Sequence, residues 1–133
     1  MARIFIDTNV LIYAFVHDQR TAVAQGALGR PFELSVQVLN EFANVARRKL
    51  GFSWEEVTQG LSAVRQLSAR IHLLDLGTHE QALTLAQRHN LSLFDALIVA
   101  SALRAGCDTL LSEDMQDGLK IEDRLTIRNP FAA

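Results

Sequence analysis

The sequence predicts an α/β protein whose sheet is mostly parallel and covered by helices on both faces. Three observations carry that reading. Short apolar runs recur from residue 3 to residue 128, each long enough for a brief strand. The segments between them place apolar residues at helical spacing. One of these segments, 95–104, is apolar almost all round, as a helix buried against other layers must be. The composition suits such a core: 133 residues, 49% hydrophobic and 21% charged, with two prolines and seven glycines, fit a single domain over 1–133.

Taken in order, residues 3–6 form the first strand, and 9–16 run apolar enough for a buried helix. Residues 20–28 form a helix that Gly29 ends, with Pro31 just beyond. Residues 32–35 are a brief strand. The next helix, 36–50, repeats apolar residues at 38, 39, 42, 45, 46 and 50, and Gly51 closes it. Ser53 caps another helix, with Glu56 three residues on completing a capping box, and that helix reaches about residue 69. Residues 71–74 read as a strand, and Thr78 caps a helix running to His89 and Asn90. The buried helix 95–104 ends at Gly106. Strands at 109–111 and 125–128 follow, the last stopped by Asn129 and Pro130.

In open parallel sheets, ligands bind beyond the carboxyl ends of the strands. Asp7 follows the first strand directly, and Asp114 lies three residues after the strand 109–111. Asp95 opens the buried helix. Glu41 sits one and a half turns into its own helix, bordering an apolar stripe through Val38 and Val45. Four carboxylates near one edge would repel one another, and a divalent cation relieves that cost. Hard oxygen donors select magnesium, with manganese as a substitute. Each acid also has a bland role. Asp7 and Asp95 stand where helix caps stand, Glu41 could be a solvated helix residue and Asp114 a turn residue. Neither Glu41 nor Asp95 has Lys or Arg three or four positions away, so local helical ion pairs do not account for them.

The net charge of −2 argues against a strongly basic nucleic-acid binder. Setting the four acids aside leaves eleven acidic residues against thirteen Lys and Arg, a balance of +2, which permits RNA without predicting it. The densest basic run is Arg47-Arg48-Lys49. Arg48 lies seven residues from Glu41, on the same face, and is the first candidate for a phosphate contact. The four histidines, His17, His72, His79 and His89, lack ligand spacing. A lone Cys107 offers neither a disulfide nor a thiolate pair. No phosphate loop, serine elbow or His-Glu-x-x-His motif occurs. The first apolar stretch is too short for a signal peptide, and no run reaches a membrane span, so a soluble cytoplasmic protein is expected.

Four segments then acquire a common resemblance. Ile4-Phe5-Ile6-Asp7-Thr8-Asn9 resembles the opening motif of PIN domains, and Val38-Leu39-Asn40-Glu41-Phe42 their second acidic motif. Leu93-Phe94-Asp95-Ala96-Leu97 is similar to the third, and Leu110-Leu111-Ser112-Glu113-Asp114 to the fourth. The ending Ile127-Arg128-Asn129-Pro130-Phe131 looks like the last strand of small VapC-type toxins. The resemblance covers nearly the whole chain, in order. It implies a three-layer α/β/α fold and a magnesium-dependent endoribonuclease, often the toxin of a toxin–antitoxin pair. It also implies a homodimer and a small antitoxin that occludes the acidic groove. Phe15, Phe42, Phe52 and Trp54 are candidates for the apolar surface such a partner would need. Residue by residue, Asp7, Asp95 and Asp114 match metal ligands and Glu41 the helical acid. Thr8, Asn9 and Ser112 match supporting polar positions, and Asp117 stands as a substitute or supplement for Asp114. Two readings from other classes compete. One is a PIN-like module that binds RNA or protein without cutting. The other is a phosphoacceptor receiver, which would want paired acids at the first strand and a better-placed lysine than Lys120.

Overall fold

The first strand, β1 (Ile4–Ile6), is apolar and runs straight into Asp7, whose side chain accepts from the Thr8 N–H and starts helix α1 (Thr8–Tyr13). In this computed structural model, which describes residues 2–132, that strand-to-helix switch lies near the centre of a six-stranded sheet. The strand order is β3-β2-β1-β4-β6-β5, where β2 is Glu33–Ser35, β3 is Arg70–His72 and β4 is Thr109–Leu111. The last two strands are β5 (Lys120–Ile121) and β6 (Leu125–Arg128). Every pairing is parallel except β5 with β6. The expected architecture is therefore the observed one, a mostly parallel sheet flanked by helices.

Helices α2 (Thr21–Leu28), α3 (Val36–Arg48) and α4 (Trp54–Leu67) connect the first strands. The capping box of Ser53 and Glu56 is present in both directions. Helices α5 (Leu76–His89) and α6 (Leu93–Ala105) pack extensively on each other, and α6 lies against β2 and β4. Elsewhere α1 touches α2 and α3, and α3 touches α4. The core joins Phe5, Phe32, Phe42, Leu34, Ile98 and Leu110, all closed to solvent. On the sheet, Glu33 is buried and accepts from Arg3 Nε at 2.9 Å and Nη2 at 2.8 Å, with His72 Nε2 at 2.8 Å. Burial pushes the Glu33 carboxyl up, but Arg3 and His72 outweigh it and hold the group down at about 2.

Four local expectations shift for physical reasons. Asp75, not Thr78, caps α5: its carboxylate accepts both the N–H and the hydroxyl of Thr78. Ser92 caps α6, which begins at Leu93, two residues before the expected start, so Asp95 sits in the first turn instead of opening it. The third strand ends at His72, and Leu73 is left 80% exposed. Strand β5 carries no signal in the sequence. Its hairpin turns through Glu122 and Asp123, both at positive φ (52° and 55°), where Asn or Gly would ordinarily announce the turn.

Candidate active site

Asp7 anchors the site. Its residue is 2% exposed, closed in at the carboxyl end of β1. Oδ1 accepts from the Thr8 N–H at 2.6 Å and Oδ2 from the Ser112 hydroxyl at 2.7 Å. Those two bonds favour the charged form, yet burial outweighs them and raises the carboxyl to about 7, helped by Asp95 and Asp114.

Ser112, closed to solvent just after β4, uses one hydroxyl twice. It donates to Asp7 and accepts from the backbone N–H of Asp114 at 3.2 Å. The β1–β4 pairing, with Ile6 opposite Leu111, is what sets these chain segments side by side. Asp114 itself is exposed. Asp95 comes from the first turn of α6, where Ser92 caps its backbone N–H. Burial raises its pKa, and the nearby Asp114 raises it further. Glu41 enters from α3, held at Oε1 by the Thr8 hydroxyl at 3.2 Å and at Oε2 by Gln37 at 2.8 Å. The four acids expected from the sequence thus gather at one sheet edge. Asp7, Asp95 and Asp114 act on one another electrostatically, and Glu41 joins them through Thr8.

The supporting residues divide. Thr8 and Ser112 hold carboxylates directly. Asn9 accepts from the Glu113 N–H at 3.3 Å, while its buried Nδ2 has no partner, a donor without an acceptor. Asp117 is occupied elsewhere: its Oδ1 accepts from the Asn129 N–H at 2.9 Å, so Asp114 is the acid that bears on Asp7 and Asp95. Glu113 is turned away, taken by Tyr13 Oη at 2.8 Å and Arg20 Nε at 2.8 Å, with the Arg20 guanidinium over the Tyr13 ring. This clamp on the 112–114 turn was not foreseen, since it joins residues about a hundred positions apart. Gln37, four residues before Glu41, could have been found from that helical spacing. Arg48 is exposed on α3 and makes no hydrogen bond or ion pair among the described residues. Of the four aromatics named as an apolar surface, Phe42 is fully buried, Phe15 and Phe52 are partly so, and Trp54 is 65% exposed.

The donors are all hard oxygens, as magnesium prefers. Among the described residues, no three acidic, histidine or cysteine side chains stand close enough to form a ready-made metal cage. Magnesium does not require one, since it is usually held by one or two carboxylates and keeps several waters. A carboxylate offers about four lone-pair positions, so Asp7 retains capacity beyond its two hydrogen bonds. The residues fit a water-rich magnesium shell.

The sequence profile of the PIN domain matches residues 4–116, from β1 through the 112–114 turn. The chain belongs to the PIN-domain family. Solved structures share the fold. The crystal structure of Mycobacterium tuberculosis VapC20, described as a toxin that cleaves the sarcin–ricin loop, superposes with a TM-score of 0.69 at 23% identity. It matches 84% of this chain and 91% of its own. A toxin–antitoxin complex from Klebsiella pneumoniae gives 0.75 at 22% identity, over 99% of this chain and 100% of its own. VapBC2 from Rickettsia felis, solved bound to a promoter DNA fragment, gives 0.68 at 18% identity over 95% and 97%. No curated protein matches by sequence. In this PIN domain no helix of the described residues is long and apolar enough to cross a membrane.

Proposed function

We propose that this PIN domain is a magnesium-dependent endoribonuclease, the toxin of a toxin–antitoxin pair acting in the cytoplasm. The observation that carries the reading is the buried Asp7 carboxylate with Asp95 and Asp114 beside it at one edge, both acting to raise it, and Asp114 acting likewise on Asp95. A cation is the natural counterpart of that arrangement. The toxin–antitoxin assemblies among the structural neighbours support the same direction.

Asp7, Asp95 and Asp114 would hold the ion, directly or through water, with manganese as a substitute. When bound, magnesium supplies the positive charge that activates water and stabilises the phosphate under attack. The chain's own residues fix the geometry. Ser112 and Thr8 orient the two oxygens of Asp7, and Gln37 and Thr8 hold Glu41 where it can receive a proton from attacking water. The unpartnered Asn9 Nδ2 is a donor for an incoming acceptor. A small antitoxin and a second copy of the chain are the expected partners.

A non-catalytic PIN-like module that binds RNA or protein remains the second reading, favoured by the absence of a close three-ligand cluster among the described residues. One experiment separates the two. Purified protein is incubated with RNA over a magnesium titration and in chelator, alongside Asp7→Asn and Asp95→Asn. Each variant should lose cleavage by at least ~100-fold with its circular dichroism unchanged. A folded Asp7→Asn/Asp95→Asn double variant with full activity would end the nuclease reading.

A further inference from the structure

Two hollows lie end to end along α3. The first, about 310 Å³, is lined by Asn40, Glu41, Asn44 and the aromatic ring of Phe94. The second, about 440 Å³, is lined by Asn44, Arg47, Arg48 and Trp54. Asn44 belongs to both, so together they make one track leading away from the acidic edge. Its floor is a helical stripe: positions 37, 41, 44 and 48 recur every three or four residues and share a face. From Glu41 to Arg48 the stripe rises ~10 Å along the axis.

The lining mixes apolar side chains, Ala43 and Val45 among them, with amides, cations and two exposed aromatic rings. Phe94 and Trp54 are 60% and 65% exposed, each standing at one end of the track. The Arg47 guanidinium lies 4.5 Å from the centre of the Trp54 ring, while its Nη1 donates to the Phe52 carbonyl at 2.9 Å. The ring and the charge are thereby held in place together. Between the aromatics the walls carry amides, and beside them Arg48 and Lys49 extend into solvent. Aromatic faces for bases, cations for phosphates and amides for base edges are the chemistry that recognises an unpaired nucleic-acid strand.

We propose that this track is a binding groove for single-stranded RNA, with bases stacked on Trp54 and Phe94 and a phosphate against Arg48. It would deliver the strand past Glu41 to the acidic edge, and in that respect it rests on the nuclease reading. Binding itself needs no cleavage.

Trp54 is the only tryptophan in the chain, so its emission reports on the groove alone. Metal-free protein in chelator is titrated with a short single-stranded RNA and with the same RNA as a duplex. Single-stranded RNA should quench Trp54 saturably, and the duplex should quench much less. Phe94→Ala should weaken the affinity by about 5- to 150-fold, the range for loss of one stacked base. Trp54→Ala, followed by fluorescence anisotropy of labelled RNA, should do the same, and Trp54→Phe should restore most of the loss. Arg48→Ala should flatten the slope of log affinity against log salt by about 0.7, one phosphate on a single strand. If RNA is cut but Trp54 is not quenched and these variants bind normally, the groove is refuted while the nuclease stands. Quenching without any cleavage would leave the groove standing and refute the nuclease. Equal quenching by duplex, or protection of Trp54 by a co-expressed protein and not by RNA, would assign the track to another ligand and overturn the proposal.

Discussion

Replacing Asp7 by asparagine tests the electrostatics of the site without any substrate. The folded protein holds the Asp7 proton more tightly than the unfolded chain does, because burial raises the carboxyl from 3.8 to about 7. The group's contribution to stability is therefore fully present below about pH 3.8 and is lost as pH rises through about 7. The interval is about three pH units. At ~1.4 kcal/mol for each, ionised Asp7 costs the metal-free protein up to ~4 kcal/mol at pH 8. Asparagine is neutral at every pH. Its carbonyl can keep the Thr8 N–H, and its amide can donate to the Ser112 oxygen once that hydroxyl rotates. Imperfect replacement of these two bonds takes back part of the gain, leaving a stabilisation of ~1–3 kcal/mol at pH 8. With an unfolding entropy of roughly 2.1 cal/mol/K per residue, that is a Tm rise of about 4–11 °C. The assay is thermal unfolding by circular dichroism in chelator from pH 5 to 8.5, comparing variant and wild type. The gap should open with rising pH, and magnesium should close it by stabilising the wild type. A variant less stable than wild type at pH 8, or a gap that does not change with pH, would refute the reasoning.

Three other outcomes are expected. Glu33→Gln should lower the urea midpoint at pH 7. That difference should narrow as pH falls from 4.5 to 2, because a carboxyl held down at about 2 contributes stability that is present above its unfolded value and lost below it. Gly60→Ala, ordinarily favourable inside a helix, should instead destabilise by ~1 kcal/mol in urea denaturation. Its new Cβ would lie 3.3 Å from Phe15 Cε1 and 3.5 Å from Phe42. Glu113→Ala releases Tyr13 and Arg20 from the 112–114 turn, so cleavage should fall by ~10-fold or more while Tm changes little. Equal fractional losses of activity and folded protein on heating would show instead that the clamp serves only the fold.

Legibility in the sequence followed the range of the signal. The Ser53–Glu56 box and the apolar stripe of α3 are written within a few residues, and they appear where their spacing puts them. The parallel sheet was legible because the first three strands each lead into a helix and the buried helix α6 leads into the apolar β4. The misplacements occurred where two good caps competed. Asp75 stands three residues before Thr78 and Ser92 three before Asp95, and in each case the earlier side chain took the later N–H. That competition is invisible to composition but has a consequence for the site, since it moves Asp95 from the cap into the first turn of α6. The fourth acidic motif was ambiguous among Glu113, Asp114 and Asp117. Contacts with Tyr13, Arg20 and Asn129 remove two of the three, and those partners are distant in sequence or lie beyond a turn. The hairpin through Glu122 and Asp123 was illegible for a plainer reason: Glu122 does not favour the backbone it adopts, and no glycine stands beside Asp123 to mark the turn.

The hydroxyl that holds Asp7 lies 105 residues further along the polymer. Chains are made and begin to fold from their first residue onward. A growing chain therefore exposes its leading acid long before the strand carrying Ser112 exists to dock beside it. Until β4 slots between β1 and β6, Asp7 has no grip from Ser112 and no neighbour in Asp114. Partial chains that lack β4 consequently carry an unassembled centre, and the setting of Asp7 is completed only after Ser112 has been made.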